Sequence, residues 1–247
     1  MRYPSVTKLK DAFNHKGMEA IRKWHAKNVA VLGAEEAEIA RRAGAVSGTR
    51  IHKALEENNT TGLSKKELVR YNNLSTFVST VSMSEQEKRI LWVDPEDPKN
   101  GFGGTFDLIG LVNHADFVDS EDNVLGDSCM YHMMDYKNVK TFYSLDFYVG
   151  YYLQCAAYCA GLNQKTNKKY GLCNGLIAFT TAKTIKLVYL DRRCINWYWK
   201  NFRAISYAFA HGLDFDYEAF KDKSCGYINP ETGEIEDYLP QRIWIKP

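Results

Sequence analysis

The chain contains no run of about 18 apolar residues, the length a helix needs to cross a bilayer. Its first thirty residues also lack the apolar stretch of a secretory signal. These absences predict a soluble, intracellular protein with no membrane partner. No Cys-x-x-Cys pair occurs, so a zinc ribbon has no support, and the C-terminal cysteine cluster of an iron–sulfur site is missing. The six cysteines, Cys129, Cys155, Cys159, Cys173, Cys194 and Cys225, are scattered through apolar segments without the spacing of a disulfide framework. They read as reduced, buried thiols. A long Gly/Ser linker, an internal repeat and a low-complexity tract are equally absent. With 247 residues, 45% of them hydrophobic and 25% charged, the chain fits one globular domain with a sizeable core.

What is present is an uneven distribution of charge. The net charge is only +2, yet residues 1–53 carry 11 Lys/Arg against 5 Asp/Glu and residues 137–212 carry 11 against 2. Between them, residues 54–136 carry 6 against 15. An acidic middle between two basic segments suits a cation-binding centre with phosphate-binding walls. Solvated surface faces produce the same pattern, so charge alone does not decide between them.

The segment Tyr3-Pro4-Ser5-Val6-Thr7 reads as extended, and residues 8–45, rich in Ala, Glu, Lys and Arg, read as helices. Ser47 or Thr49 can cap a further helix that ends near Asn58, where Asn59-Thr60-Thr61-Gly62 follows. Residues 63–83 add one or two more helices. Strand patterns follow at 89–93, 104–112 and 131–139, separated by turn-rich stretches, and form a three-stranded meander. Residues 144–162 are free of proline and apolar on one side, which predicts a long helix. A hairpin at 176–181 and 185–190, a closing helix at 195–211 and a strand at 242–245 complete the chain. This order implies an α/β or α+β sheet flanked by helices.

Two strand segments carry charge where apolar residues are expected. In Asp135-Tyr136-Lys137 the period of two puts Asp135 and Lys137 on one face and Tyr136 on the other. Gly103-Gly104-Thr105-Phe106-Asp107 delivers another carboxylate into an apolar strand. Carboxylates gathered in a partly dry site cost several kcal/mol each unless a cation compensates them. Carboxylate oxygens favour hard ions such as Mg²⁺ or Mn²⁺, which polarise a phosphoryl oxygen and acidify a bound water. Lys137 could orient or deprotonate that water, or offset charge on the phosphate. An Asp–Lys surface pair accounts for the tripeptide taken alone. His52 and Glu56 stand four residues apart on one helical face and extend the potential ligand shell. Gln154 and Tyr158 have the same spacing inside an apolar helix, as two polar tips suited to a site wall. Tyr143, Phe147, Tyr148, Tyr151 and Tyr152 are candidates for base stacking, although packing explains most of them. Trp197-Tyr198-Trp199 reads first as helix packing against the sheet.

The ordered motifs GTRIHKALE, GGTFD, MMDYK and LQCAAY resemble the RecB-like branch of the PD-(D/E)XK nuclease superfamily. The start, YPSVTKL, is similar to that of the mitochondrial genome maintenance exonucleases and related phage exonucleases, and the resemblance covers roughly residues 3–190. It implies a restriction-endonuclease-like core with a central mixed β-sheet, and a Mg²⁺- or Mn²⁺-dependent DNA exonuclease. The implied substrate is single-stranded DNA degraded with 5′-to-3′ preference during replication, recombination or repair. By the same resemblance Asp107, Asp135, His52, Glu56 and the main-chain carbonyl of Tyr136 are metal ligands, and Lys137 is the catalytic lysine. Gln154 and Tyr158 flank the active site, and Ser5 and Thr7 lie near the bound strand. Asn138 and Val139 depart from the family's usual Thr-Ser-like residues after the lysine. Residues 1–46 become an N-terminal helical DNA-binding part, 47–190 the catalytic core and 191–247 a C-terminal helix and tail. Because the family motif begins at Tyr3, no transit peptide is expected, and a monomer in the cytosol of a bacterial host, phage-encoded, is the expected setting. A structure-specific endonuclease with the same centre, a non-catalytic nucleic-acid-binding module and a two-carboxylate glycosidase are the competing readings.

Overall fold

The computed structural model describes residues 3–13, 15–166, 169–170, 173–213, 226–228, 235–237 and 240–245. Cys225 and most of the tail beyond residue 213 lie outside the described residues.

Three helices open the chain: α1 (Val6–Phe13), α2 (His15–Leu32) and α3 (Ala34–Glu57). Helix α1 begins two residues earlier than its composition suggests, so Thr7 is helical rather than extended. Ser5 ends the extended part, and its Oγ accepts the Lys8 N–H at 3.1 Å in the manner of an N-cap. Helix α3 runs unbroken through Ser47 and Thr49, where a cap and a new helix were expected. The alanine-rich stretch before them has no proline, and Thr49 Oγ1 donates back to the Ala45 carbonyl at 3.2 Å. The helix stops at Asn58, whose φ of 47° is left-handed.

Helix α4 (Lys65–Val78) starts with a capping box in which Ser64 and Glu67 satisfy each other's backbone N–H groups. It ends before residue 83, because strand β1 occupies Val81–Val93. By pattern, residues 81–83 read as the end of a helix and residues 84–88 as no regular element, because Ser82-Met83-Ser84-Glu85-Gln86-Glu87-Lys88 lacks the alternation of a half-buried strand. An edge strand can tolerate that, and β1 is at one edge.

Strands β2 (Gly101–Asn113), β3 (Phe117–Val118) and β4 (Cys129–Asn138) follow, then a 3₁₀ turn at Leu145–Tyr148 and helix α5 (Val149–Lys165). Strands β5 (Asn174–Thr180) and β6 (Ile185–Leu190) form the expected hairpin, and helix α6 (Arg192–His211) starts at the Asp191 cap and ends at Gly212, φ 63°. Short strands β7 (Gly226–Ile228) and β8 (Ile235–Asp237) pair with each other, and β9 (Gln241–Ile245) joins β6 and β3. The seven-stranded sheet has the order β1-β2-β4-β5-β6-β9-β3. Its pairs are antiparallel except β4 with β5, which α5 connects as a parallel crossover. The curled mixed sheet thus carries helices on both faces.

Two apolar cores fill the layers. On one face α1, α5 and α6 pack against the sheet through residues such as Val6, Leu9, Ile90, Phe106, Tyr152, Ala156, Phe179 and Phe202. On the other, α3 and α4 cover Leu108, Met134, Tyr136 and Leu176 through Ile51, Leu74 and Phe77. Trp199 meets Trp92 edge-on at 4.9 Å, as the helix-packing reading required, and Tyr148 and Tyr152 are core residues rather than free stacking platforms. Cys155, Cys159, Cys173 and Cys194 are buried and in no disulfide, whereas Cys129, at the start of β4, is exposed, contrary to expectation.

His114 and His132 are both buried, with their Nε2 atoms 3.2 Å apart. His132 Nδ1 lies 2.8 Å from the Met130 carbonyl and so carries the proton, which leaves its Nε2 to accept from His114. Both rings are therefore neutral. Burial pulls His132 down to about 4 and lowers His114 as well. The unfolded chain then takes up protons first. This contribution to stability is complete above pH 6.5, falls between pH 6.5 and 4, and changes no further below. A shift of this size corresponds to roughly 3 kcal/mol. Urea unfolding at pH 7 and pH 4.5 should register that loss, and His132→Leu should remove most of it. A variant as pH-sensitive as the wild type would refute the assignment.

Candidate metal centre

The centre forms where two strands part. Strands β2 and β4 pair from Leu108–Met134 to Asn113–Cys129 and no further. Beyond that point β2 stays with β1, and β4 stays with β5. The fork leaves the Tyr136 N–H without a ladder partner, and Asp107 Oδ2 accepts it at 2.6 Å. A backbone donor that must be satisfied thereby fixes the carboxylate of one strand against the other.

Around this fork the charged side chains converge. Asp107 and Asp135 are buried at 8% and 1% exposure. From α3, His52 Nδ1 approaches Asp107 Oδ1 at 3.5 Å, and its ring stands edge-on to Tyr136 at 5.7 Å. Lys137 Nζ lies 2.5 Å from Asp135 Oδ2, and 5.1 Å from the centre of the Tyr151 ring. This ammonium offsets the charge at Oδ2, while Asp135 Oδ1 has no hydrogen-bond partner among the described residues. A buried carboxylate oxygen left without a partner is costly, and a second cation would complement it.

The titration tendencies follow from this crowding. Burial acts to raise Asp107, but His52, Lys137 and the Tyr136 N–H outweigh it and hold the carboxyl below its ordinary value. Burial acts to lower His52, yet the Asp107 carboxylate outweighs it and raises the imidazole. For Asp135 burial wins and pushes the carboxyl up. Burial also opposes the charge on Lys137, but Asp135 and Asp107 together raise it above the usual lysine range.

His52, Glu87 and Asp107 each offer one ligand atom, and these atoms lie within 4.8 Å of one another. Imidazole nitrogen and carboxylate oxygen together suit a divalent first-row ion or Mg²⁺. Glu87 is absent from the sequence-based candidate set. It sits on β1 opposite Asp107, between the pairs Gln86–Leu108 and Lys88–Phe106, with a left-handed φ of 47°. For a glutamate in a strand that conformation is strained. Burial, and next the neighbouring Asp107, push Glu87 up to about 7. Glu56, expected as a ligand, is exposed on α3 and outside this group, although its charge is felt at Glu87.

The other candidates frame the centre. Gln154 Nε2 donates to Tyr158 Oη at 2.9 Å, while Gln154 Oε1 has no hydrogen-bond partner. The Tyr158 ring packs on Gly104, where an added Cβ would come within 2.8 Å of it. Asn138 has both carboxamide atoms buried and unpaired, next to Gly48 of α3. Ser5 bridges Gly103 on β2 in parallel, and the Gly103 N–H donates to the Pro4 carbonyl at 3.0 Å. Thr7, two residues beyond Ser5, is exposed. Lys10 is a second residue missed from sequence. Its ammonium lies 4.6 Å from the Tyr151 ring that also faces Lys137, and burial lowers its pKa while Asp11 acts to raise it. Only the tertiary packing of α1 against α5 reveals it.

Comparison with protein-family models and with curated protein sequences finds no match for this chain.

A ligand at a hundredfold excess over its Kd stabilises a fold by about 2.7 kcal/mol. For a chain of this size that is a rise of about 5–10 °C in thermal midpoint. Mn²⁺ or Mg²⁺ should produce it, Glu87→Gln and Asp107→Asn should abolish it, and Glu56→Gln should keep it. Differential scanning calorimetry checks this. A response lost with Glu56 and retained without Glu87 would reverse the ligand assignment.

Proposed function

We propose that the chain is a Mg²⁺- or Mn²⁺-dependent DNA exonuclease of the RecB-like PD-(D/E)XK type, acting on unpaired strands with 5′-to-3′ preference. Its setting is DNA replication, recombination or repair. The observation that carries the reading is the meeting of Asp107, Asp135 and Lys137 at the fork of β2 and β4, with His52 beside them. Motif order supports it independently, because GTRIH, GGTFD, MDYK and the Gln154–Tyr158 pair all border this one spot.

His52, Glu87, Asp107 and Asp135, with the carbonyl of Tyr136, would hold the ion. When bound, it supplies charge neutralisation at a phosphoryl oxygen and acidification of a water. The protein's own groups do the positioning. Lys137, kept cationic by two carboxylates, is better suited to donate to a phosphate oxygen or hold the attacking water than to act as a base. Tyr158, also raised by burial, remains a neutral donor beside Gln154. A two-carboxylate glycosidase would leave Lys137 and His52 without a task.

With labelled linear single-stranded DNA and Mg²⁺, the wild type should release nucleotides progressively, and EDTA should stop it. Asp107→Asn, Asp135→Asn and Lys137→Ala should each slow the reaction by a hundredfold or more, equivalent to ~3 kcal/mol of lost transition-state stabilisation. Covalently closed single-stranded circles should survive. Equal cutting of circles would turn the reading into an endonuclease, and digestion undiminished in Lys137→Ala would overturn the catalytic assignment.

A further inference from the structure

A pocket of about 810 Å³ opens beside the metal centre, lined by the N-terminal segment, the β1–β2 hairpin and the end of α6. Its floor follows from strand register. Ile90 and Trp92 of β1 are buried in the core under α5, so alternation turns Arg89 and Leu91 out of that core and into the open. There they stand across from Thr105 and Gly103 of β2. The next step along the same two strands is Glu87 and Asp107, about 7 Å further at a rise of ~3.3 Å per residue. The pocket and the metal ligands are consecutive rungs of one hairpin.

The lining is chemically one-sided. Lys8 and Arg89 are its charged members and no carboxylate faces it. Neither is exposed by accident of a broken ion pair, for no carboxylate pairs with either among the described residues. Ser5 and Thr105 add hydroxyls, and the backbone at Gly103 and Gly104 is open to close approach. Phe209, at the last turn of α6, is 42% exposed, and the Lys8 ammonium lies 4.9 Å from its ring centre. Leu91, 53% exposed, extends the apolar wall. Cations next to an uncovered aromatic ring are what a nucleotide of an unpaired strand requires: charge for the phosphate, a flat apolar surface for the base.

We infer that this pocket holds one nucleotide of the unpaired strand next to the metal centre, with Arg89 and Lys8 on its phosphate and Phe209 stacked on its base. The inference rests on the polynucleotide substrate proposed above and extends it to Arg89 and Phe209, which lie outside every motif, Phe209 also lying beyond the segment that carries the family resemblance. Stacking, unlike hydrogen bonding to base edges, is indifferent to sequence, so the subsite selects unpaired over paired strands and not one base over another.

Fluorescence anisotropy with a labelled oligothymidylate and the full chain in EDTA separates binding from cleavage. Arg89→Gln and Lys8→Gln should each weaken binding about tenfold and reduce the slope of log Kd against log salt by about 0.7, the value for one single-strand phosphate contact. Phe209→Leu should weaken oligothymidylate binding about fivefold or more and leave an abasic strand of equal length bound as by the wild type. Circular dichroism melts identify any variant that fails to fold, and the exposed Arg89→Gln and apolar Phe209→Leu are chosen to keep the fold. Unchanged affinity and salt slope in Arg89→Gln, or equal losses on oligothymidylate and abasic strands in Phe209→Leu, would overturn the subsite. A wild type that binds as described but cuts no DNA with Mg²⁺ or Mn²⁺ would refute the nuclease reading and leave the subsite standing.

Discussion

One unsatisfied backbone donor organises the centre of this molecule. When β2 and β4 separate after Leu108 and Met134, the N–H of Tyr136 loses the carbonyl that a continued ladder would provide. A buried N–H left alone costs about 1–3 kcal/mol. Asp107 supplies the acceptor at 2.6 Å, and in doing so its other oxygen is presented to His52. The fork therefore creates both the opening between strands and the reason a carboxylate must stand in it. Had the strands continued to pair, Asp107 would have no structural task and no room.

The two cores keep this fork open. Helix α3 presses Ile51 and Ala54 onto the face that holds Tyr136, which carries His52 to the gap, while α5 and α1 pack the opposite face and bring Tyr151, Tyr158 and Lys10. Each functional side chain is thus borne by an element whose position is set by apolar burial rather than by the charges themselves. That ordering matters energetically, because like-charged carboxylates repel when no cation is present. The pKa of Glu87, raised by burial first and by Asp107 next, reports part of that cost.

Much of this was legible in the chain because strand alternation and helix spacing are local rules. Asp135 and Lys137 were assigned to one face from their separation of two, and His52 to the site through GTRIH. The hairpin, the Gln154 helix and the final strand were likewise readable from periodicity. What was not readable depended on non-local pairing. Glu87 becomes a partner of Asp107 only through the β1–β2 register, and the polar first half of β1 disguised the strand that carries it. Glu56 reads as a ligand because residues four apart on a helix share a face. Yet four residues also advance about 6 Å along the axis, enough to move the carboxylate from the fork into solvent. Ser47 and Thr49 looked like caps because hydroxyl residues favour helix starts, but back-bonding within α3 served Thr49 equally well.

The alternation of charge along the chain acquires a spatial meaning once the elements are assembled. The acidic middle segment contributes Glu87, Asp107 and Asp135, all on the first strands of the sheet. The basic N-terminal segment returns to these strands through the Ser5–Gly103 bridge, with Lys8 over the Phe209 ring and Lys10 over the Tyr151 ring. A polyanion approaching along the β1–β2 hairpin meets Lys8 and Arg89 before it reaches the carboxylates, which would otherwise repel it. The same arrangement explains why cation and substrate are expected to assist each other. In the proposed nuclease the carboxylates would attract the ion, the ion would cancel their repulsion of phosphate, and Lys8 and Arg89 would hold the strand.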